Sequence, residues 1–330
     1  MMNTAEFWEQ AKKISNDSEF EELAIRLFQY QRRSVSVYNR FTDALKLELD
    51  SIESIKEIPL LPIEVFKKHI VLDSNRVPEL VFLSSGTTGE DHSRHYVRNE
   101  AIYRESVLTN FRHFYGDPGQ YVFIFLLPSY IEQGNSSLVF MANILLEKNT
   151  EKYSGFYLSD YDKIYNILKE VYEDGKKIFL MGVSFALIDL FNLYTLDIPD
   201  ALIMETGGMK GRRKELVRDE LHEFIKSKTG VLNVHSEYGM TELFSQAYAL
   251  RDGLFNCPPW MKIFTHDIYD PYSLTKVNQS GTIGIIDLAN IHSCAFVASR
   301  DIGRINTYGQ IEILGRIDNS DVRGCNLMVQ

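Results

Sequence analysis

From Leu80 onward, short apolar runs alternate with segments of helical periodicity, and this alternation strongly constrains the fold. Apolar runs rich in β-forming residues predict strands, whereas apolar residues repeated every three or four positions predict helices. The predicted strands and helices alternate in the order Val81–Leu83, Glu100–His113, Tyr121–Leu127, Ser137–Glu147, Ile178–Met181 and Val183–Leu193. Such a series is typical of an α/β fold with a mainly parallel sheet.

The chain before this region lacks the alternation and predicts a helical N-terminal segment, residues 1–75. Apolar residues repeat at helical intervals over Ala5–Ile14 and over Phe20–Arg33. Asp17 or Ser18 stands where the N-cap of the second helix is expected. We expect this segment to serve as a scaffold.

Helical periodicity fades again after Ile263. The later runs that predict strands are Gly281–Leu288, Cys294–Ala298 and Gln310–Ile313. We therefore expect the α/β domain, residues 76–330, to include a small β-rich subdomain from about residue 263.

Composition narrows the classes of function. Of the 330 residues, 45% are hydrophobic, which is enough for a large buried core. The chain has 45 acidic and 35 basic residues, a net charge of −10. This charge argues against nonspecific binding to nucleic acid and against docking on anionic membranes, because both need basic patches. We expect small molecules and proteins as partners.

The cysteines and the N-terminus indicate a reducing, cytoplasmic location. Cys257, Cys294 and Cys325 show no paired spacing, so we predict neither a disulfide framework nor a zinc site. The first residues contain neither the basic nor the apolar region of a secretion signal. The apolar stretch Ile178–Leu196 contains Asp189, so we expect a buried strand and a core helix rather than a membrane span.

A glycine-rich loop, Ser84-Ser85-Gly86-Thr87-Thr88-Gly89, follows the predicted strand Val81–Leu83. Its backbone N–H groups and hydroxyls can close around phosphate oxygens, because glycine places no Cβ in the way. Open α/β sheets bind ligands after strands of this kind, so Ser85, Thr87 and Thr88 are candidate ligands of the β- and γ-phosphates. An ordinary turn fits the same residues, and the Gly-Lys-Ser/Thr of a P-loop is absent.

A second motif, Ser236-Glu237-Tyr238-Gly239-Met240-Thr241-Glu242, combines an aromatic ring with a carboxylate. The Tyr238 ring can stack on adenine, Thr241 can contact the α-phosphate, and Glu242 can hold Mg²⁺, a hard cation that prefers carboxylate oxygen. The alternative is the start of a helix.

Two further segments offer nucleotide contacts. Gly207 and Gly208 follow the predicted strand Ala201–Met204 and would let the backbone approach a flat base, although a tight turn fits them as well. Asp301 offers a carboxylate to ribose hydroxyls, and Arg316 offers a guanidinium to ribose or phosphate. Charged turns between strands are common, so neither residue is diagnostic alone.

In this order, the motifs resemble those of the adenylate-forming superfamily of acyl-CoA ligases, firefly luciferase and peptide-synthetase adenylation domains. The resemblance spans residues 80 to 325 and implies the large N-terminal domain of these enzymes. It also implies ATP-dependent activation of a carboxylic acid. The implied roles are phosphate binding by Ser85–Gly89, adenine packing by Gly207, Gly208 and Tyr238, phosphate and Mg²⁺ contacts by Thr241 and Glu242, ribose binding by Asp301, and a further contact by Arg316. Gly239, next to Tyr238, is a further candidate for cofactor binding.

The sequence departs from the superfamily pattern in two places. Glu90-Asp91-His92-Ser93-Arg94-His95 replaces the usual Pro-Lys after the glycine loop, so any positive charge there must come from Arg94 or His95. The segment Gly315–Cys325 stands where the superfamily hinge leads into a mobile C-terminal domain. We expect that domain and its lysine to be absent.

The ending Arg323-Gly324-Cys325-Asn326-Leu327-Met328 resembles the acyl-protein synthetases, also called long-chain-fatty-acid–luciferin-component ligases (LuxE type). Leu127–Leu138, Glu205–Lys210 and Asp287–Phe296 are also similar to that family. Membership implies that an acyl-adenylate, of a long-chain fatty acid in particular, forms with release of pyrophosphate. The acyl group then moves to Cys325, within an acceptor tail 319–330, for delivery to a partner such as an acyl reductase or a carrier protein.

The candidate catalytic residues are therefore Thr88, Thr241, Glu242, Arg316 and Cys325. Arg323 would favour the Cys325 thiolate, which can attack an acyl-adenylate, but an incidental cysteine fits the same position. Cys257 and Cys294 have apolar neighbours and are expected to be structural.

Other interpretations remain open. The segment Gly182–Ala186 is a candidate acyl pocket, although core packing explains it equally well. An acyl-CoA or aryl-CoA ligase related to phenylacetate-CoA ligase would share the ATP site. A noncatalytic nucleotide-binding protein on the same fold is the third alternative.

Overall fold

In the part of the chain that the structure describes, twelve strands join in one large sheet, and helices cover its faces. The computed structural model describes residues 2–46, 52–73, 77–84, 92–127, 135–207, 218–270 and 272–317. The strands are β1 (Leu61–Pro62), β2 (Leu80–Leu83), β3 (Arg94–Val97), β4 (Tyr121–Leu126), β5 (Gly155–Tyr157), β6 (Lys177–Gly182), β7 (Leu202–Glu205), β8 (His235–Tyr238), β9 (Ala247–Ala249), β10 (Leu254–Asn256), β11 (Met261–His266), β12 (Gly281–Asp287), β13 (Phe296–Ile305) and β14 (Ile311–Arg316).

The helices of the described ranges begin at the N-terminus and continue between the parallel strands. They are α1 (Thr4–Ala11), α2 (Asp17–Ser34), α3 (Ser36–Ala44), α4 (Val65–Lys68), α5 (Glu100–Tyr115), α6 (Ser137–Leu146), α7 (Tyr161–Glu173), α8 (Ser184–Leu193) and α9 (Arg218–Thr229). In these ranges, no helix combines the length and the apolar character that crossing a membrane requires.

The sheet has a parallel and an antiparallel half. Strands β5, β4, β6, β7 and β8 lie side by side in parallel. The antiparallel series β9, β10, β14, β13, β12, β11 continues from β8, while β1 adds a parallel pairing to the first half of β13. Nearly every residue of β4 and β6 is buried, as expected of parallel strands covered on both faces. The predicted α/β fold with a parallel-rich sheet is confirmed.

The boundaries of several elements differ from the sequence prediction. The N-cap of α2 is Asn16, whose Oδ1 accepts a hydrogen bond from Glu19 N at 3.0 Å, rather than Asp17 or Ser18. The predicted strand from Cys294 begins only at Phe296, because the residues before it form a hydrogen-bonded loop. Within the large sheet, antiparallel pairing begins at β9, well before residue 263. The division of the chain into domains stays a prediction.

The N-terminal helices pack into the same core as the sheet. The Trp8 and Trp260 rings meet edge to face at 5.5 Å, and the Phe28 and Phe296 rings at 6.0 Å. The fully buried amide of Gln31 bonds to the loop before β13, donating to Asn290 O and accepting from Ala295 N. The helical segment therefore supports that loop directly.

Asp73 connects three parts of the fold. Its carboxylate, 1% exposed, accepts hydrogen bonds from Tyr30 Oη at 2.5 Å, Arg98 Nη1 at 2.6 Å and His292 Nδ1 at 2.7 Å. Burial alone would raise the pKa of Asp73, but these partners together lower it. Asp73 thus joins α2, the residue after β3 and the loop before β13.

We expect Asp73→Asn to lower the free energy of unfolding by about 3 kcal/mol, because Arg98 would lose its buried counter-charge. Urea denaturation measures the effect. Asp17→Asn is the matched control, since Asp17 is 94% exposed in its ion pair with Lys262, and it should cost less than about 1 kcal/mol. Equal losses in the two variants would contradict the role of Asp73.

Candidate active site

The predicted site residues that the structure describes lie at the junction of the two halves of the sheet. Gly207 follows β7, and Gly239, Thr241 and Glu242 follow β8, so both segments lie beyond the carboxyl ends of parallel strands, the usual ligand edge of such sheets. Arg316 ends β14, which pairs with β13. The antiparallel half of the sheet therefore brings a charged pair, Asp301 of β13 and Arg316 of β14, to the same edge.

Tyr238, Asp301 and Arg316 form a connected group. Tyr238 Oη donates to Asp301 Oδ2 at 2.7 Å, and Arg316 Nε lies 3.8 Å from Asp301 Oδ1. Asp301 and Arg316 are directly opposite each other in the β13–β14 ladder. Burial and the neighbouring Asp301 charge raise the pKa of Tyr238, which keeps its hydroxyl protonated as a donor. The hydrogen bond between Tyr238 and Asp301 joins residues that are 63 positions apart in sequence.

Glu242 is buried beside this group, with 4% of its surface exposed. Burial raises the pKa of its carboxyl, while a hydrogen bond with Ser93 and the positive charge of Arg316 oppose that shift. The segment Gly239–Glu242 is a turn closed by Leu243 N donating to Met240 O at 3.1 Å. The alternative that this motif starts a helix is wrong.

The β2–β3 hairpin holds both ends of the predicted glycine loop. Ser84 N donates to Ser93 O at 3.1 Å, and Ser93 N donates to Ser84 Oγ at 2.9 Å. His92 Nδ1 also lies 2.6 Å from Ser84 O. Ser85, Gly86, Thr87, Thr88 and Gly89 lie outside the described residues, as does Gly208, so their roles stay predictions.

His95 and Asn290 join this hairpin to the Thr241–Glu242 turn. His95 Nδ1 donates to Thr241 O at 2.8 Å, and Asn290 Nδ2 donates to Glu242 O at 2.9 Å. His95 Nε2 lies 3.2 Å from Asn290 Oδ1. Sequence reasoning missed this bridge, because a lone histidine and a loop asparagine form no motif.

His95 does not supply the positive charge proposed from the sequence. It is fully buried, and burial lowers its pKa to about 4 although the bonds to Thr241 and Asn290 favour the protonated form. The imidazole is therefore neutral at pH 7. Arg94 is exposed and remains the candidate cation of this segment.

Gly207 is fixed by a charged network beneath it. Its N–H donates to Glu205 Oε2 at 2.7 Å, and its φ of 65° is a conformation that favours glycine. Arg218 Nε lies 3.2 Å from Glu205 Oε1, and His222 Nε2 lies at 3.9 Å. Burial would raise the pKa of Glu205, but His222, Arg218 and the Gly207 N–H lower it to about 2. An ionised Glu205 thus anchors the loop.

The candidate acyl pocket Gly182–Ala186 belongs largely to the core. A Cβ at Gly182 would lie 2.9 Å from Leu187 Cδ2, and the side chains of Val183 and Ala186 are fully buried. Ser184 N donates to Gly207 O at 3.1 Å. These contacts favour packing for this segment, together with support of the Gly207 loop.

The two cysteines that the structure describes are poor nucleophiles. Burial raises the pKa of Cys257 and of Cys294 to about 12, so both thiols are protonated at neutral pH. Cys294 Sγ also lies 3.3 Å from Phe296 O. Cys325 lies outside the described residues.

Comparison with known proteins identifies the fold. ATP-bound MatB from Rhodopseudomonas palustris is 19% identical over 73% of this chain and 49% of its own, with a TM-score of 0.52. An open conformation of 2-hydroxyisobutyryl-CoA ligase with 2-HIB-AMP and CoA is 13% identical over 93% of this chain and 72% of its own, with a TM-score of 0.68. A long-chain-fatty-acid-CoA ligase from Archaeoglobus fulgidus is 16% identical over 74% of this chain and 53% of its own, with a TM-score of 0.52.

The chain therefore has the fold of the large N-terminal domain of adenylate-forming enzymes. At these identities the similarity establishes the fold alone. The chain spans about half the length of MatB, 49%. Neither the protein-family profiles nor the curated protein sequences with which it was compared match it.

The bridge through His95 predicts an acid-sensitive fold. Its folded pKa of about 4 lies below the ordinary 6.5, so between these values the unfolded chain binds a proton that the folded chain does not, and stability falls as the pH decreases. Between pH 7 and pH 5, protonation of His95 in the unfolded chain should lower the free energy of unfolding by about 2 kcal/mol.

Urea denaturation at pH 7 and pH 5 measures this contribution. His95→Asn should reduce the loss between the two pH values, whereas exposed His69→Asn should leave it unchanged. Parallel pH profiles for wild type and His95→Asn would contradict the assignment.

Proposed function

We propose that the protein activates a carboxylic acid with ATP and then transfers the acyl group to the thiol of Cys325. The observation that carries the first step is the convergence of Tyr238, Asp301, Arg316 and Glu242 at the ligand edge of the sheet. Support also comes from the fold, which the chain shares with MatB solved with ATP and a CoA ligase solved with an acyl-adenylate.

The described residues suit the nucleotide. Asp301 can accept hydrogen bonds from ribose hydroxyls, and the Tyr238 hydroxyl holds that carboxylate in place at 2.7 Å. Arg316 is about half exposed, at 49%, so its guanidinium can reach a phosphate. The proposal completes the site with Thr241 and Thr88 at the phosphates, Ser84–Gly89 as the phosphate loop, and Gly207 and Gly208 against adenine.

Mg²⁺ fits the properties of Glu242. Its carboxyl is buried with a raised pKa, so a cation beside it would stabilise the charged form, and Mg²⁺ prefers carboxylate oxygen. Within the described ranges no group of three or more His, Cys, Asp or Glu side chains could hold a metal ion. Phosphate oxygens of ATP would therefore complete the coordination. When bound, Mg²⁺ neutralises phosphate charge.

The chemistry proceeds in two displacements. A carboxylate oxygen of the acid attacks the α-phosphorus, and the bond from phosphorus to the bridging oxygen breaks to release pyrophosphate. The Cys325 thiol then loses its proton and attacks the acyl carbon, and the bond to the AMP oxygen breaks. AMP leaves with that electron pair, and the acyl group remains as a thioester for an acyl reductase or carrier protein.

A thiol outside the protein is the second candidate acceptor. The 2-hydroxyisobutyryl-CoA ligase that shares the fold was solved with CoA, which favours a CoA ligase as the alternative. The two assignments share the adenylation step and differ only in where the acyl group is found afterwards.

Glu242→Gln should reduce acid-dependent exchange of pyrophosphate into ATP by about 100-fold or more, because the proposed Mg²⁺ ligand loses its charge. Glu223→Gln is a matched control at a position that is 75% exposed, and it should exchange like wild type. Full activity of Glu242→Gln would contradict the assignment.

Cys325→Ser should keep pyrophosphate exchange and lose acyl transfer. Intact-protein mass after incubation with Mg-ATP and an acid detects the thioester, which hydroxylamine should cleave from the wild type. An acyl-CoA that forms only when CoA is supplied, without a protein adduct, would favour the CoA ligase. Equal loss of exchange in Cys325→Ser and Glu242→Gln would contradict the two-step assignment.

A further inference from the structure

Glu237 points away from the proposed nucleotide groups. Alternate residues of a strand face opposite sides of the sheet. In β8, Ser236 contacts His222 and Tyr238 contacts Asp301, whereas His235 contacts Tyr115 of α5 at 3.3 Å. Glu237 shares the face of His235 and therefore points toward α5.

The surroundings of Glu237 are aromatic and polar. Glu237 Oε1 lies against the position that a Cβ on residue 239 would occupy. Gln246 Cγ lies 3.3 Å from that position. Asn110 of α5 donates to Gln246 O at 2.8 Å and lies 3.4 Å from Gln246 Oε1. A larger residue than glycine at 239 would collide with Glu237. The cluster therefore directly adjoins the Tyr238–Glu242 motif.

Two acceptors in this cluster have no donor among the described residues. Asn110 is fully buried, and its Oδ1 has no hydrogen-bond partner in that part of the chain. The Glu237 carboxylate has no ion pair or hydrogen bond there, and burial together with the Glu205 charge raises its pKa to about 8. Glu237 is only partly buried, whereas Asn110 is fully enclosed.

Unpaired buried acceptors destabilise a folded protein unless a ligand supplies the donor. Resting on the proposed function, we infer that Glu237 selects a carboxylic acid carrying a hydrogen-bond donor, an ammonium or hydroxyl group, over one with a plain alkyl chain. The acyl chain would then pass between β8 and α5. A hydroxylated or amino-substituted fatty acid satisfies this inference and also the long-chain fatty acid that the resemblance to acyl-protein synthetases implies.

The competing explanation is internal. A protonated Glu237 would itself donate to Asn110 or Gln246 and serve only to hold the fold together. Glu237→Gln separates the two explanations, because glutamine has the same shape and can also donate. An internal role predicts an unchanged substrate preference in this variant.

The test compares kcat/KM for pyrophosphate exchange with octanoate and with hydroxy- or amino-octanoates substituted at position 2, 3 or 8. Wild type should favour at least one substituted acid over octanoate by roughly 10- to 100-fold. The difference should lie mainly in KM.

The variants distinguish the two donors. Glu237→Leu should bring the ratio of kcat/KM for a substituted acid to that for octanoate close to one, for hydroxy- and amino-octanoates alike. Glu237→Gln should lose the preference for amino-octanoates, because an ammonium group needs a carboxylate partner. It should keep part of the preference for hydroxy-octanoates. Thermal unfolding confirms that each variant is folded, and Glu223→Gln should retain the wild-type ratio.

Octanoate used as well as every substituted acid, or a preference unchanged in Glu237→Gln and Glu237→Leu, would overturn the inference and leave the proposed function intact. Absence of exchange with every acid would instead overturn the proposed function, and the inference with it.

Discussion

The site depends on the buried polar loop between β12 and β13, residues 288–295, together with Asp287 at the end of β12. Asp287 accepts from Phe244 N and Ser245 N, at 2.8 and 2.9 Å, and so holds the segment after Glu242. Asn290 bonds to the Glu242 carbonyl, and His292 to Asp73. A single loop thus fixes the Glu242 turn and connects it to the N-terminal helices.

This arrangement explains why the loop carries three polar side chains, Asn290, His292 and Ser293, although it is buried. A buried hydrogen-bonding group stabilises the fold only when its partner is correctly placed, so a connected network admits one arrangement of its members. The hydrogen bond from His95 to the Thr241 backbone and that from Asn290 to the Glu242 backbone set the position of the β2–β3 hairpin and of the loop against the turn. The proposed nucleotide side of the site is therefore preorganised, which would lower the cost of binding a nucleotide there.

The two sides of the proposed site differ in how well their polar groups are paired. On the proposed nucleotide side, Tyr238 donates to Asp301, Arg316 lies 3.8 Å from the Asp301 carboxylate, and Glu205 is ionised beneath Gly207. On the α5 side, Glu237 and the Oδ1 of Asn110 have no donor among the described residues. Glu237, which is only partly buried, is the unpaired group at which a ligand would gain most from a complementary donor, so this side suits the proposed choice between acids.

The sequence by itself determined the α/β class and the candidate nucleotide residues, because periodicity and short motifs are local properties. It predicted β2, β4, β6, β7 and β12–β14 but none of β3, β5 and β8–β11. It misplaced the N-cap of α2 and the start of β13, where neighbouring residues of similar propensity compete. Only the tertiary structure decided that His95 is neutral, that Asn290 bridges two motifs and that Glu237 faces α5 unpaired. Burial and contacts between distant segments set these properties, and neither is written in the spacing of residues along the chain.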